Sequence, residues 1–209
     1  MKPHLPLLAI SLLLLTISHQ LSAQTVIEET KDYILKECDS VYYYSHGLPP
    51  KDDFVLDTTK IHKVNGVLKL PLDNGKEVVF RDIWNKKIEV NEYLYRGINK
   101  SLGYYLVEGI IGEWEENYLI NTKNGVIDSI QRKPNFSLSG IYFGYCYYFY
   151  VTMEANVRFK NIKKNKTCKI TLENEGQAGF KWLNDNSFLF ISSNFTLNSK
   201  NKYYKVQIK

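Results

Sequence analysis

The sequence predicts an all-β chain of antiparallel meander sheets, blade-like in layout, with one short N-terminal helix following a signal peptide. Three observations carry this. Aromatic residues are plentiful, with 16 Tyr, 10 Phe and 3 Trp, while Met numbers only 2 and Ala is scarce, a bias that favours strands over helices. Short β-prone runs flank tight-turn sequences, most clearly Tyr118-Leu119-Ile120 and Val126-Ile127 around Thr122-Lys123-Asn124-Gly125. Asn-Gly accepts a positive φ without a Cβ penalty, so it closes an antiparallel hairpin. The second half also repeats one phrase, an aromatic followed by a tight turn and an apolar strand.

Taken in order, Met1 to Ala23 reads as a signal peptide. Lys2 supplies a positive n-region, Leu5 to Ile17 an apolar h-region, and Leu21-Ser22-Ala23 the small residues at a cleavage site. The apolar run is short for a membrane span and no second one follows, so no transmembrane segment is expected after cleavage near Ala23. No Cys follows the cleavage region, so the lipoprotein pattern is missing. The expected location is periplasmic or secreted, with three segments: the signal peptide at 1–23, a helix and loop lead-in at 24–60, and a β domain at 61–209.

About 186 residues remain after cleavage, enough for one domain with a real core. Losing Lys2 leaves 26 Lys and Arg against 22 Asp and Glu, a formal charge of +4. That mild balance is spread along the chain. Its densest part, Lys160 to Lys169, reads as a solvated turn between strands rather than a nucleic-acid patch, and no nucleic-acid partner is expected. Cys38, Cys146 and Cys168 allow one disulfide at most, and their apolar contexts suit buried free thiols.

Thr25 to Cys38 is the helix candidate, because Val26, Ile27, Thr30, Tyr33, Ile34, Glu37, Cys38 and Val41 fall near i, i+3, i+4 spacing. Tyr42-Tyr43-Tyr44 suits core or strand, and Gly47-Leu48-Pro49-Pro50 ends it as a loop. Val64 to Leu72 and Lys76 to Arg81 flank Asp73-Asn74-Gly75 as a hairpin. Pro71, lacking an N–H, puts that hairpin at a sheet edge. Ile88 to Arg96, Gly103 to Gly109 and Ile141 to Val151 continue as strands, with Pro134 breaking the chain before the last.

The repeated phrases are Pro134 to Phe143 and Phe180 to Phe190, which place Phe136 over Trp182 and Ser139-Gly140 over Asp185-Asn186. Their offset of 46 residues is close to one four-stranded blade. The phrases resemble the aromatic–Ser–Pro–Asp–Gly turn of TolB-like and WD40-like β-propellers, with Leu138 where Pro is usual and Ser139 where Asp is usual. The order of pieces from Val64 to Phe190 is also similar to uncharacterised exported proteins of Gram-negative bacteria. In those, a D-N-G-K hairpin, a G-Y-x-L strand, a Y-L-I-N hairpin, a P-x-F-S turn and a W-x-D/N-x-N-x-F close follow a signal peptide. Here these are Asp73 to Lys76, Gly103 to Val107, Tyr118 to Gly125, Pro134 to Ser137 and Trp182 to Phe188. The resemblance implies a partial or small propeller and lends no activity. Two blade-like sheets beside an N-terminal hairpin sheet is the favoured layout, ahead of a complete small propeller and an ordinary sandwich.

No catalytic constellation stands out. The histidines left after cleavage, His46 and His62, lie early in the chain, no G-x-S-x-G elbow exists, and no H-E-x-x-H, C-x-x-C or Gly-rich phosphate loop is present. No metal and no cofactor is expected. Glu113, Glu115 and Glu116 surround Trp114, the one carboxylate group that could serve a glycan hydrolase; a solvated loop with an anchored Trp accounts for it more simply. Asp52-Asp53 likewise reads as loop. Ser40, Thr58 and Ser129 follow Asp and precede apolar or Thr residues, as in short O-glycosylation sites of some Gram-negative bacteria, and equally suit ordinary turns and strands. The expected function is a non-catalytic exported β-domain that binds or scaffolds another envelope or secreted protein. The alternatives are a glycan-acting hydrolase using Glu113 to Glu116 and an inhibitor or immunity-type protein.

Overall fold

The structure, a computed structural model, describes residues 24–47, 54–85, 88–112, 114–149, 154–173, 175–194 and 200–209. The signal segment, Asp52, Asp53 and Glu113 lie outside them. No helix among the described residues is long and apolar enough to cross a membrane.

Among the described residues the chain is all-β apart from one short helix, and the strands form four antiparallel sheets. It opens with β1 (Thr25–Glu29) and β2 (Tyr33–Cys38), then α1 (Ser40–Ser45). Sheet I holds β3 (Lys63–Val64), β4 (Val67–Pro71) and β5 (Glu77–Arg81). Sheet II is the meander β6 (Ile83–Asn85), β7 (Ile88–Asn99), β8 (Tyr104–Ile111), β9 (Trp114–Asn121) and β10 (Ile127–Ile130). Sheet III is the meander β11 (Asn135–Phe136), β12 (Tyr142–Phe149), β13 (Glu154–Asn161) and β14 (Lys166–Glu173). Sheet IV runs β15 (Glu175–Asn184), β16 (Ser187–Asn194) and β17 (Lys202–Ile208), and then takes in β2 and β1 from the start of the chain.

The sheets stack like blades, and the period of two along each strand builds the stack. In β8, Tyr104 and Leu106 turn toward Phe143, Tyr145 and Tyr147 of sheet III, while Tyr105 and Val107 turn toward Leu68, Leu70 and Phe80 of sheet I. Sheet III does the same. Its Cys146, Val157, Phe159 and Ile170 meet Leu35, Phe180, Phe188, Phe190, Tyr204 and Val206 of sheet IV. The order is therefore I–II–III–IV, with an apolar seam at each of three junctions. Beyond the last seam, Cys38, Leu189 and Ile191 of sheet IV are covered by Tyr43 of α1. The opposite outer face, that of sheet I, leaves Lys69, Glu77 and Arg81 exposed.

Several sequence expectations hold in detail. The Asp73–Gly75 turn joins β4 to β5, and the Thr122–Gly125 turn joins β9 to β10 with Ile127 opposite Ile120. Phe136 and Trp182 each sit in an edge strand of their sheet, one hairpin turn before the next strand, and each faces the preceding sheet. All three cysteines are free, at three separate places: under α1, in the III–IV seam and on β14. Burial pushes the Cys38 thiol up to about 11.

Other expectations need correction. Thr25 to Cys38 is not a helix but a hairpin. Thr30 Oγ1 accepts hydrogen bonds from the N–H groups of Asp32 and Tyr33, which turns the chain, and β2 then buries Tyr33 and Leu35 on one face. Pairing of β2 with β17 decides the state of a segment whose apolar spacing suits either period. β1 and β2 of the 24–60 lead-in are thus part of sheet IV, and the helix falls on Tyr42-Tyr43-Tyr44, capped by Asp39 Oδ1 accepting from Tyr42 N at 2.6 Å. The described strands form four sheets, rather than two blades beside one hairpin sheet. β4 is a central strand; Pro71 is tolerated as its last residue, beyond the reach of the two-residue β3.

Candidate functional site

The turns between β1 and β2, β4 and β5, β7 and β8, β9 and β10, β11 and β12, β13 and β14, and β15 and β16 gather at one end of the stack, where several are bonded to a neighbouring turn. Asp73 N donates to Thr122 O at 2.8 Å, and Thr122 Oγ1 donates to Asp73 Oδ2 at 3.0 Å, which ties sheet I to sheet II. Thr122 N donates to Gly103 O within sheet II, and Ile162 N to Ile141 O within sheet III. Ser139 N donates to Asp185 Oδ1 at 2.7 Å, joining sheets III and IV. Asp32, in the β1–β2 turn, accepts from Lys209 N and pairs with Lys166.

Sheets II and III are joined at this end by apolar contact. Gly140, at φ +69, lies so close to Leu102 that a Cβ there would stand 2.2 Å from Leu102 Cδ2. Only glycine permits both that approach and that conformation. Beside this contact the two sheets leave a cleft of about 310 Å³. Leu102, Tyr104, Ile141 and Ile162 give it apolar walls; Asn121 and Ser139 add polar groups; Lys123 comes from the β9–β10 turn and Lys163 from the β13–β14 turn. The lining contains no carboxylate.

The electrostatics of this end are one-sided. Asp73 is bonded to Thr122, Asp57 to Thr59 with Lys100 at 3.8 Å, Asp185 to Ser139, Asp32 to Lys166, and Glu29 to Lys209. The Ser139 backbone N–H holds the Asp185 carboxyl below the usual carboxylate value. Lys123, Lys163 and Lys164, by contrast, have no carboxylate within ion-pair distance among the described residues, so uncompensated positive charge collects on these turns. Such an arrangement attracts and holds anionic groups.

The Trp114 group lies at the other end of β9. Trp114 is 68 % exposed, and it, Glu115 and Glu116 belong to the strand rather than to a loop. Strand alternation sends the two carboxylates to opposite faces: Glu115 stands 3.8 Å from Arg132, while Glu116 accepts from Tyr118 OH at 2.6 Å and from Ser129 Oγ. The strand does not bring them together as an acid–base pair. Ser129 is thus exposed but engaged by Glu116; Thr58 is exposed in a turn, and Ser40 is the half-buried first residue of α1. Among the described residues no group of three His, Cys, Asp or Glu side chains is placed to hold a metal ion.

A broader hollow of about 520 Å³ lies on the outer face of sheet I, beside His62 and Arg81, but it is a strand face on which Lys69 already pairs with Glu77. The turn-end cleft is the better candidate because two sheets line it and its cations, Lys123 and Lys163, have no carboxylate within ion-pair distance among the described residues. Sequence reasoning met Lys123 as part of a turn and Lys163 as part of a solvated basic run. Their convergence from two hairpins on two sheets leaves no local signal. Comparison with protein-family models, curated proteins and solved structures finds no match to this chain.

Proposed function

We propose that this chain is an exported, non-catalytic β-domain that binds or scaffolds another component of the cell envelope, with the turn end as its binding surface. One observation carries the reading. Turns from all four sheets meet in a single surface, bonded between sheets I and II and between III and IV and packed through Leu102 and Gly140 between II and III; its carboxylates are engaged internally, while Lys123, Lys163 and Lys164 have no carboxylate within ion-pair distance among the described residues. A preformed surface of that kind binds without first having to be ordered, which lowers the entropic cost of association. Immobilised protein should retain an envelope component that a Lys123→Glu/Lys163→Glu variant, equally stable to heat, does not. Equal retention by both proteins would remove the turn end from the proposal. Export is checked separately: the protein recovered from the envelope fraction should begin near Gln24, and intact Met1 in a cytosolic pool would contradict it.

A further inference from the structure

Resting on the reading of the turn end as a binding surface, we infer that the cleft between sheets II and III seats a carboxylated sugar unit, a uronic-acid ring. Size comes first. The cleft holds about 310 Å³, at the lower end of the roughly 300–1,000 Å³ of small-molecule sites and far more than one carboxylate side chain fills. Its occupant is ring-sized. Charge comes second. Lys123 and Lys163 reach the cleft from two different sheets, no carboxylate lines it, and the nearby Asp73 and Asp185 are bound to Thr122 and Ser139. A neutral sugar would pair with neither ammonium group, whereas a carboxylate on the ring supplies the anion that both lack among the described residues.

The walls complete the match. Leu102, Tyr104, Ile141 and Ile162 offer the apolar surface that the C–H face of a pyranose covers. Asn121 Oδ1 is used by the N–H groups of Lys123 and Asn124, and its amide nitrogen is left out of the turn as a donor for a hydroxyl. The Gly140–Leu102 contact and the Thr122–Gly103 bond hold the walls in place before any ligand arrives.

The test is a titration of the ¹⁵N-labelled full chain with glucuronate, glucose and inorganic sulfate, followed at the backbone amides of Gly103, Lys123, Gly140 and Lys163. Saturable shifts at these amides are expected with glucuronate, with affinity at least tenfold above that for glucose or sulfate. Lys123→Gln/Lys163→Gln should weaken glucuronate at least tenfold while the rest of the spectrum is unchanged. A galacturonate tetramer separates the two sources of such a unit: tighter binding than the monomer marks a polymer, equal binding a free sugar acid, and both bear the proposal out. Glucose equal to glucuronate, sulfate equal to glucuronate, or an unaffected double variant each overturns it. If glucuronate fails while Lys123→Glu/Lys163→Glu still loses its envelope component, the sugar assignment falls and the binding reading stands.

Discussion

Trp182 shows how one side chain joins two layers. It is 4 % exposed, lies among Tyr142, Phe180 and Phe188, and donates its indole N–H to Asn135 O at 2.9 Å, across the seam between sheets III and IV. Truncation to Ala empties a large volume and orphans a carbonyl, so Trp182→Ala should cost about 3–5 kcal/mol in urea unfolding. Phe136 packs on Phe54, Tyr104 and Phe143 but is only partly buried, so Phe136→Ala should cost less, about 2 kcal/mol. Trp114→Ala should stay within about 0.5 kcal/mol, because that ring is in water already. A parent-like midpoint for Trp182→Ala would refute the packing described for this seam. Asp185 gives a pH test. Its carboxyl is held below the usual value, so it stabilises the fold above the ordinary carboxylate range, and that contribution disappears as pH falls through the lowered value. Asp185→Asn should therefore be less stable than the parent at pH 7, and the gap should close as pH falls through the lowered value, below the ordinary carboxylate range. A gap that does not narrow as the carboxylates are protonated would mean the charge is not what joins the turns.

At the level of hairpins, Gly125 and Gly75 make a controlled pair. Both have positive φ, +73 and +80, but a Cβ on Gly75 meets nothing within 4 Å, while one on Gly125 comes 2.9 Å from Leu72 Cδ1 and 3.2 Å from Val78 Cγ2. Gly75→Ala should show conformational strain alone, about 1 kcal/mol, and Gly125→Val strain plus overpacking between sheets I and II, about 2–4 kcal/mol. Equal losses in thermal melts would argue against that inter-sheet contact. These turns were legible in the sequence because Asn-Gly fixes a local conformation, and so were the strands that alternate beside them. The Thr25–Cys38 hairpin was not. Its apolar residues satisfy a helical spacing, and what decides against it is β17, which pairs along β2 from 165 residues or more further down the chain. The cleft was hidden for the same reason: Lys123 and Lys163 carry no mark of each other until two sheets bring their turns side by side.

Across the whole molecule, the first and last strands share a sheet. Leu35 pairs with Val206, and both are fully or nearly fully buried in the III–IV seam. Removing residues 24–39 would take away Tyr33, Leu35 and Cys38 together and bare the edge of β17. The truncated protein should lose cooperative thermal unfolding, and a sharp transition near the parent's would show that sheet IV stands without β2. The ring-like return of the chain onto its own beginning also sets a clock. While the polypeptide is being made, β2 has no permanent neighbour on its β17 side until β17 has left the ribosome, so sheet IV cannot close before then. Contacts so distant along the chain form slowly. A chain built this way keeps one edge of its β1–β2 hairpin bare until nearly all of the strands described here have been made.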